Sequence, residues 1–327
     1  MYIIKIFSDF CDSTTCKQNF ISLLTASEYL KLTDNIIILD NNSDNYTHAI
    51  ILNCGMPILH QNIPKTNVIG LACEPLPFLN LTPEFINYAQ QYIGKYFIGD
   101  KLQLPEPFIE HQGFLWHLPR PPKEIVVKTK MMSIIISKKI FAHGHQYRHL
   151  FVSAILDNKF PIDIYGCGCS LYDEYREKTG VTNFKGEFVG KEPYEDYLFS
   201  ICIENFESNH YFSEKISSPI MYNCMPIYHG CKNIKSYFGD SFISLSGNIV
   251  DDMNMIFHIL QRPDKFYRKT YTPENIKTPN LLMNIPTIFS SVSTSDSSLS
   301  SDSSLSSDSS LSSDSSLSSD SSLSSDS

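Results

Sequence analysis

The sequence predicts an α/β protein built as two facing domains, each a parallel sheet covered by helices, followed by a tail with no core of its own. Three observations carry this prediction. Short apolar, β-branched runs alternate with amphipathic stretches through residues 1–289, the order that builds parallel strands joined by crossovers. A proline-rich polar passage at 118–130, with Pro119, Pro121 and Pro122, divides that body in two. From Ser290 onward the chain becomes a Ser-Asp-Ser-Ser-Leu-Ser repeat, whose one leucine per period buries too little surface to offset the entropy of ordering. The expected organisation is a first α/β domain at 1–118, a linker at 119–130, a second α/β domain at 131–289 and a disordered tail at 290–327.

The elements follow in order. Residues 2–7 alternate apolar positions around Lys5 and open the first sheet, with further strands expected at 36–39, 49–53, 68–73 and 96–98. Beyond the linker, residues 132–137 (Met-Ser-Ile-Ile-Ile-Ser) open the second sheet. Tyr147, Leu150, Phe151, Ala154 and Ile155 then recur at the spacing of one buried helix face. Strands are expected again at 162–165, 199–203 and 226–228, each separated by enough chain for a crossover. In such sheets ligands bind at the carboxyl ends of the strands, so the expected site is the cleft between the two domains.

Charge and composition narrow the function classes. Of the 327 residues, the 26 basic ones all lie in 1–289 together with 29 of the 35 acidic ones, a net of −3 for the body, so a duplex-binding surface and a nucleic-acid partner are not expected. The amino terminus reaches Asp9 after too few apolar positions for a signal-peptide core, and no stretch approaches the roughly 18–20 apolar residues of a membrane helix. Nine scattered cysteines suit reduced thiols in a cytosol-like compartment, so a soluble, cytoplasmic protein is expected. Neither half carries a Gly-x-Gly-x-x-Gly turn or a Walker loop, which argues against a dinucleotide dehydrogenase or a P-loop kinase. Any phosphates must be held by side chains.

The stretch 197–230 carries the most chemistry. An apolar strand delivers Glu204 and Asn205 to its carboxyl end, and a short polar loop leads to Tyr211, Ser213, Glu214 and Lys215 at a helix start. Such a loop can grip a nucleotide sugar, with an acid for ribose hydroxyls, an ammonium for a diphosphate and an aromatic for a flat face. A solvated helix entry reads equally well from composition alone.

The blocks Ile203-Glu204-Asn205, Tyr211-Phe212-Ser213-Glu214-Lys215 and Pro226-Ile227-Tyr228-His229-Gly230 together resemble the signature of glycosyltransferase family 10, the α-1,3/1,4-fucosyltransferases. In that family the blocks read Phe-Glu-Asn, Tyr-x-Thr-Glu-Lys and Pro-Ile-Tyr/Val-x-Gly. Upstream, the strand at 133–137, Arg148 on a helix, and Ile162-Asp163-Ile164-Tyr165-Gly166 resemble the family's strand, basic helix and Val-Asp-x-Tyr-Gly block. The first half is similar more loosely, through Val68-Ile69-Gly70-Leu71-Ala72-Cys73-Glu74-Pro75, a strand ending in a carboxylate.

The resemblance implies two Rossmann-like domains of the GT-B type and an inverting transfer of fucose from GDP-fucose to a hydroxyl of a glycan acceptor. It implies that Arg148 contacts the donor diphosphate, and it makes Glu74 the candidate general base, since inverting transfer needs one group to take the acceptor proton. Lys215, Asn205, Glu214 and Tyr211 are the donor-binding candidates, with His145, Glu204 and Ser213 as further donor-side positions. A transferase using another nucleotide sugar and a non-catalytic glycan- or nucleotide-sugar-binding protein remain as alternatives. No obligatory cofactor is expected, a divalent ion acting at most as a stimulant, and the partner of the tail is left open.

Some positions depart from the family pattern. Ser213 replaces the usual threonine and keeps the hydroxyl, while His229 stands where a large apolar residue is common. Pro219 would break a helix begun at Ser213, unless the start is Ser218 as cap with Pro219 at the first helical position. No membrane anchor is expected, and in this the chain resembles the soluble microbial or viral type. His143, His145 and His149 invite a metal reading but lack a defined fourth ligand, and the pairs Cys11/Cys16 and Cys167/Cys169 lack zinc or redox spacing, so no metal site is expected. The segment 9–15, at the end of the first strand, either caps a helix or helps bind the acceptor.

Overall fold

The isoleucine-rich runs form two six-stranded sheets. A computed structural model of the chain describes residues 1–24, 26–111, 126–270 and 281–290. The first sheet comprises β1 (Tyr2–Ser8), β2 (Ile36–Ile38), β3 (His48–Leu52), β4 (Val68–Leu71), β5 (Lys95–Ile98) and β6 (Phe108–Glu110) in the order β2-β1-β3-β4-β5-β6. The second comprises β7 (Lys130–Ile135), β8 (Ile162–Tyr165), β9 (Phe184–Gly186), β10 (Tyr197–Ile203), β11 (Met225–His229) and β12 (Ile243–Ser244), ordered β12-β11-β10-β7-β8-β9. Every pairing is parallel. The strand order reverses between β1 and β3 and again between β7 and β10, and each reversal opens a crevice at the carboxyl ends.

Parallel strands are buried on both faces, which is why they read as near-continuous apolar runs. On one face of the first sheet Ile4, Ile6, Ile50, Leu52 and Ile69 pack with Cys16 and Phe20 of the helix Ser13–Ser22. On the other, Ala49, Ile51, Val68 and Tyr96 pack with Phe85 and Ala89 of the helix Pro83–Tyr92. In the second sheet Phe151, Val152 and Ile155 of the helix His143–Asp157 share a core with Ile134, Ile164, Ile201 and Ile227. Ile216 and Ile220 of the helix Glu214–Met221 cover Cys202 and Tyr228.

The fold class is the expected one, and several details differ. Strands β6, β9 and β12 were not expected, because two or three residues are too short to show a period. Leu281, Leu282, Ile285 and Ile288 join the core of the first sheet beside Ile4 and Ile6, so residues 281–289 pack with the first sheet although they follow the second in sequence. Residues 119–125 of the expected linker and the expected tail beyond Ser290 lie outside the described residues, and Lys130 already belongs to β7. Among the described residues no helix is long and apolar enough to cross a membrane.

One close approach fixes the geometry of the cleft. The helix His143–Asp157 begins against the end of β10, where Gly144 N donates to Asn205 O at 3.1 Å. A Cβ at Gly144 would stand 1.7 Å from Glu204 O, a backbone atom. Helix propensity alone would make Gly144→Ala favourable, but overpacking against backbone costs about 1–3 kcal/mol. Gly144→Ala is therefore expected to lower the urea midpoint with the m-value unchanged, and an unchanged or raised midpoint would contradict this contact.

Candidate functional site

The second half of the site grows from the end of β10. Glu204 is 1% exposed, and a buried carboxylate needs partners. Ser213 N donates to its Oε1 at 2.9 Å, Ser213 Oγ lies 3.0 and 2.8 Å from its two oxygens, and the Lys215 ammonium stands 3.4 Å away. Ser213 is in turn the cap of the helix Glu214–Met221, its Oγ accepting from Lys215 N at 3.4 Å. Burial alone would lower the Lys215 pKa, but the charges of Glu204 and Glu214 outweigh it and hold the ammonium above the ordinary lysine range.

The helix therefore starts at Ser213, the first of the two expected starts, and not at Ser218. Pro219 lies inside it, near its end, where the carbonyl of Pro219 still accepts from Tyr222 N and Cys224 N. Glu204 also differs from expectation: its carboxylate holds Ser213 and Lys215 and lines neither of the cavities described below.

Arg148 is buried one turn into its helix. Its Nε donates to Gly144 O at 3.1 Å and Nη2 donates to Asn205 Oδ1 at 2.6 Å, and burial pulls its pKa below the ordinary arginine value. His145 is 3% exposed, and its Nδ1 accepts from Ala142 N at 3.3 Å, which leaves Nε2 as the donor. Burial, reinforced by the charges of Arg148, Lys139 and Lys215, brings its pKa down to about 4, so the ring is neutral at pH 7.

Glu74 follows β4 at its carboxyl end and is partly exposed, its carboxyl lining the larger cavity described below, with Pro75 opening the short helix Leu76–Leu79 behind it. The turn is set by Asn53, at φ +50°, whose Oδ1 accepts from Cys73 N at 2.8 Å. Tyr211 reaches across from the second half, its hydroxyl 3.5 Å from Glu74 Oε2. Burial of the carboxyl raises the Glu74 pKa above the ordinary value, while Lys215 and Lys139 pull it part of the way back.

Two cavities join these residues. One of about 460 Å³ is lined by Phe10, Asn53, Cys73 and Glu74 from the first half and by Asn205, Tyr211, Glu214 and Lys215 from the second. Another of about 180 Å³ is lined by Arg148, Tyr194, Ser200, Glu214 and Lys215. Glu214 and Lys215 border both. The structure thus brings Glu74, Asn205, Tyr211, Ser213, Glu214 and Lys215 to one cavity and Arg148 to its neighbour, with His145 behind Arg148. Phe10, expected only as part of a loop, lines the larger cavity. Asn53 and Lys139 were not singled out, although Asn53 stands at a strand end, where ligand loops are expected.

The weaker sequence signals resolve into local contacts. Asp12 caps the helix Ser13–Ser22, accepting from Thr15 N at 2.7 Å. Both nitrogens of His149 are engaged, at 2.9 Å by Tyr172 OH and at 2.9 Å by Ser137 O. His229 Nε2 stands 3.5 Å from Glu207 Oε2. Among the described residues no three His, Cys, Asp or Glu side chains are grouped as metal ligands.

Comparison with protein-family models finds no match, and comparison with curated proteins finds none either. Among solved structures the chain is similar to an α1,3-fucosyltransferase at TM-score 0.54 and 16% identity, over 89% of this chain and 90% of that one. It is similar as well to α1,3-fucosyltransferase with GDP-fucose (0.53, 15% identity, 88% and 89% covered) and with GDP (0.54, 15%, 88% and 88%). The likeness shows a shared fold, two parallel α/β halves of the GT-B type.

The buried neutral histidine has a measurable consequence. His145 binds its proton near pH 4 when folded but near the ordinary 6.5 when unfolded, so the unfolded chain holds more protons between these values. Its contribution is complete above pH 6.5 and is lost as pH falls toward 4. His145→Gln is expected to flatten the acid side of the stability profile across that window in urea titrations. An unchanged slope would contradict a buried neutral ring.

Proposed function

We propose that this chain is an inverting glycosyltransferase that moves fucose from GDP-fucose to a hydroxyl of a glycan acceptor. The observation that carries the reading is that a strand-end carboxylate from one half, Glu74, and a half-buried ammonium from the other, Lys215, face one cavity, while Lys215 and Arg148 border the next. The neighbours' GDP and GDP-fucose complexes share this fold and support the choice of donor.

Arg148 and Lys215 neutralise the leaving diphosphate, the guanidinium and the ammonium both being held before the ligand arrives. Asn205 and Glu214 orient the donor, and Tyr211 closes over it. Glu74 takes the proton of the acceptor hydroxyl as that oxygen bonds to the anomeric carbon and the bond to the diphosphate breaks. Attack comes from the face opposite the leaving group, through an oxocarbenium-like state. The raised pKa of Glu74 makes it a stronger base than an ordinary carboxylate.

The test is a pair of variants with GDP-fucose. Glu74→Gln is expected to lower kcat at least about 100-fold on a competent β-galactoside or N-acetylglucosamine acceptor, while thermal stabilisation by GDP-fucose persists. Lys215→Ala is expected to lose that stabilisation. The acid limb of kcat/KM should lie above the ordinary carboxylate range, since Glu74 must be ionised to act. Equal turnover of wild type and Glu74→Gln would refute the base, and binding without hydrolysis or transfer across a broad acceptor panel would refute the enzyme.

A further inference from the structure

We propose that Cys11 and Cys16 are a modification site, a thiol pair that closes to a reversible disulfide by exchange with a small-molecule disulfide of the glutathione class. Their sulfurs stand 3.1 Å apart, and closing to a bond of about 2.05 Å moves them together by roughly 1 Å. Four residues separate the two, unlike the two of a redox motif, and the helix start supplies the proximity instead. Asp12 is the cap of the helix Ser13–Ser22, so Cys11 is the residue before the cap and Cys16 the fourth of the helix. Side chains at those two positions pack on each other at helix starts. The turn between them is held by Thr15 N donating to Asp12 Oδ1 at 2.7 Å and Cys16 N donating to Asp12 O at 2.9 Å.

The two thiols divide the chemistry. Cys11 is partly exposed, whereas Cys16 is 1% exposed. Burial, and after it the sulfur of Cys11, hold the Cys16 thiol far above the ordinary cysteine range, so it keeps its proton. Cys11 is therefore the attacking group. It gives its proton to solvent and bonds to one sulfur of the small disulfide, whose other sulfur leaves as a thiolate. Once Cys11 carries the mixed disulfide, its part in holding the Cys16 proton is gone, and the second attack is intramolecular. Cys16 loses that proton and bonds to Cys11 Sγ, and the second small thiolate leaves. Two protein thiols are oxidised, one small disulfide is reduced, and the two thiolates released take up the two protons.

Other thiols are engaged elsewhere. Cys54 Sγ donates to Leu79 O at 2.8 Å, Cys169 Sγ to Ile164 O at 3.3 Å and Cys202 Sγ to Ser200 O at 3.2 Å. Cys73 packs in the same apolar cluster as Cys11 and lines the larger cavity. Burial, reinforced by the charge of Glu74, pushes it up to about 12, so it stays a thiol. Closing the Cys11–Cys16 bond thus fastens the turn after β1 to the first helix, next to the cavity wall.

The test equilibrates the full chain, native or unfolded in urea, with reduced and oxidised glutathione, blocks free thiols with iodoacetamide and maps tryptic peptides by mass. Residues 6–17 form one tryptic peptide that holds both cysteines, so the disulfide is expected as that peptide lighter by two hydrogens and carrying no label. The native chain is expected to form it at least about tenfold more readily than the unfolded chain, because only the fold holds the sulfurs in contact. Cys16→Ser is expected to stop at one glutathionyl group on Cys11. Cys11→Ser is expected to leave Cys16 unmodified, and Cys73→Ser to leave the disulfide in place. Equal formation in native and unfolded chains, a native chain that stays reduced throughout, or a bridge from Cys11 to the peptide 66–95 that carries Cys73 overturns the proposal.

Discussion

The buried carboxylate of Glu204 is the constraint on which the site depends. An ionised group at 1% exposure carries a desolvation cost of several kcal/mol that only good partners offset. Those partners are the amide and hydroxyl of Ser213 and the ammonium of Lys215. One interaction thus ties the end of β10 to the cap of the following helix and points a lysine at the cavity. The backbone crowds in on the same atoms: a Cβ at Gly230 would stand 2.5 Å from Glu204 Cγ. The next residue, Asn205, anchors Arg148. Both cations are therefore held by consecutive residues at one strand end, so their positions are correlated.

The reversal of strand order in each sheet explains why these residues meet. Phe10, Asn53 and Glu74 leave the ends of three adjacent strands, β1, β3 and β4, and Glu204 and Asn205 leave β10 next to β7. The loop after β10 also braces the two halves. Asp100, at the end of β5, accepts from Ser208 Oγ at 2.7 Å and from Asn209 N at 3.3 Å. Phe78 of the first half packs edge-on against Phe141 and Phe206, with ring centres 6.0 Å apart in each case. A single loop thus carries Asn205, Tyr211 and Ser213 and also hydrogen-bonds to the end of the opposite sheet.

Much of the fold was legible in the sequence because doubly buried strands leave apolar runs. The runs at β1, β3 and β7 stand out for that reason, and Tyr147, Phe151 and Ile155 marked one helix face by spacing alone. Strands β6, β9 and β12 had no such signal, since pairing at an edge, not pattern, makes them strands. Pro219 left the helix start open between Ser213 and Ser218 because local propensity weighs against a proline in a helix, whereas Ile216 and Ile220 are held by tertiary packing and the cap at Ser213 is held by Glu204. Residues 281–289 are apolar enough to be buried, but apolarity does not say against which sheet. At the site, the blocks at 203–205 and 211–215 were readable as chemistry. The role of Glu204 as an anchor was not, because burial depends on neighbours distant in sequence. Asn53 was hidden for the same reason: its importance lies in the hydrogen bond it makes to Cys73, 20 residues on.

As the proposed base, Glu74 sits in an environment that reconciles two opposed demands. It must be ionised to accept a proton, yet basic enough to want one. Burial raises its pKa, and the charges of Lys215 and Lys139 hold the rise in check. On the proposed reading, a bound diphosphate neutralises the charge of Lys215 as felt across the cavity, which removes part of the restraint. The carboxylate is then more basic with the donor in place than without it. Proton affinity at Glu74 and occupancy by the donor are thereby linked through one shared lysine, and linkage of this kind is reciprocal: protonating Glu74 must strengthen diphosphate binding by the same factor. Donor affinity would therefore rise as pH falls through the Glu74 pKa while turnover declines, two opposite trends that a single titrating group at the mouth of the cavity produces together.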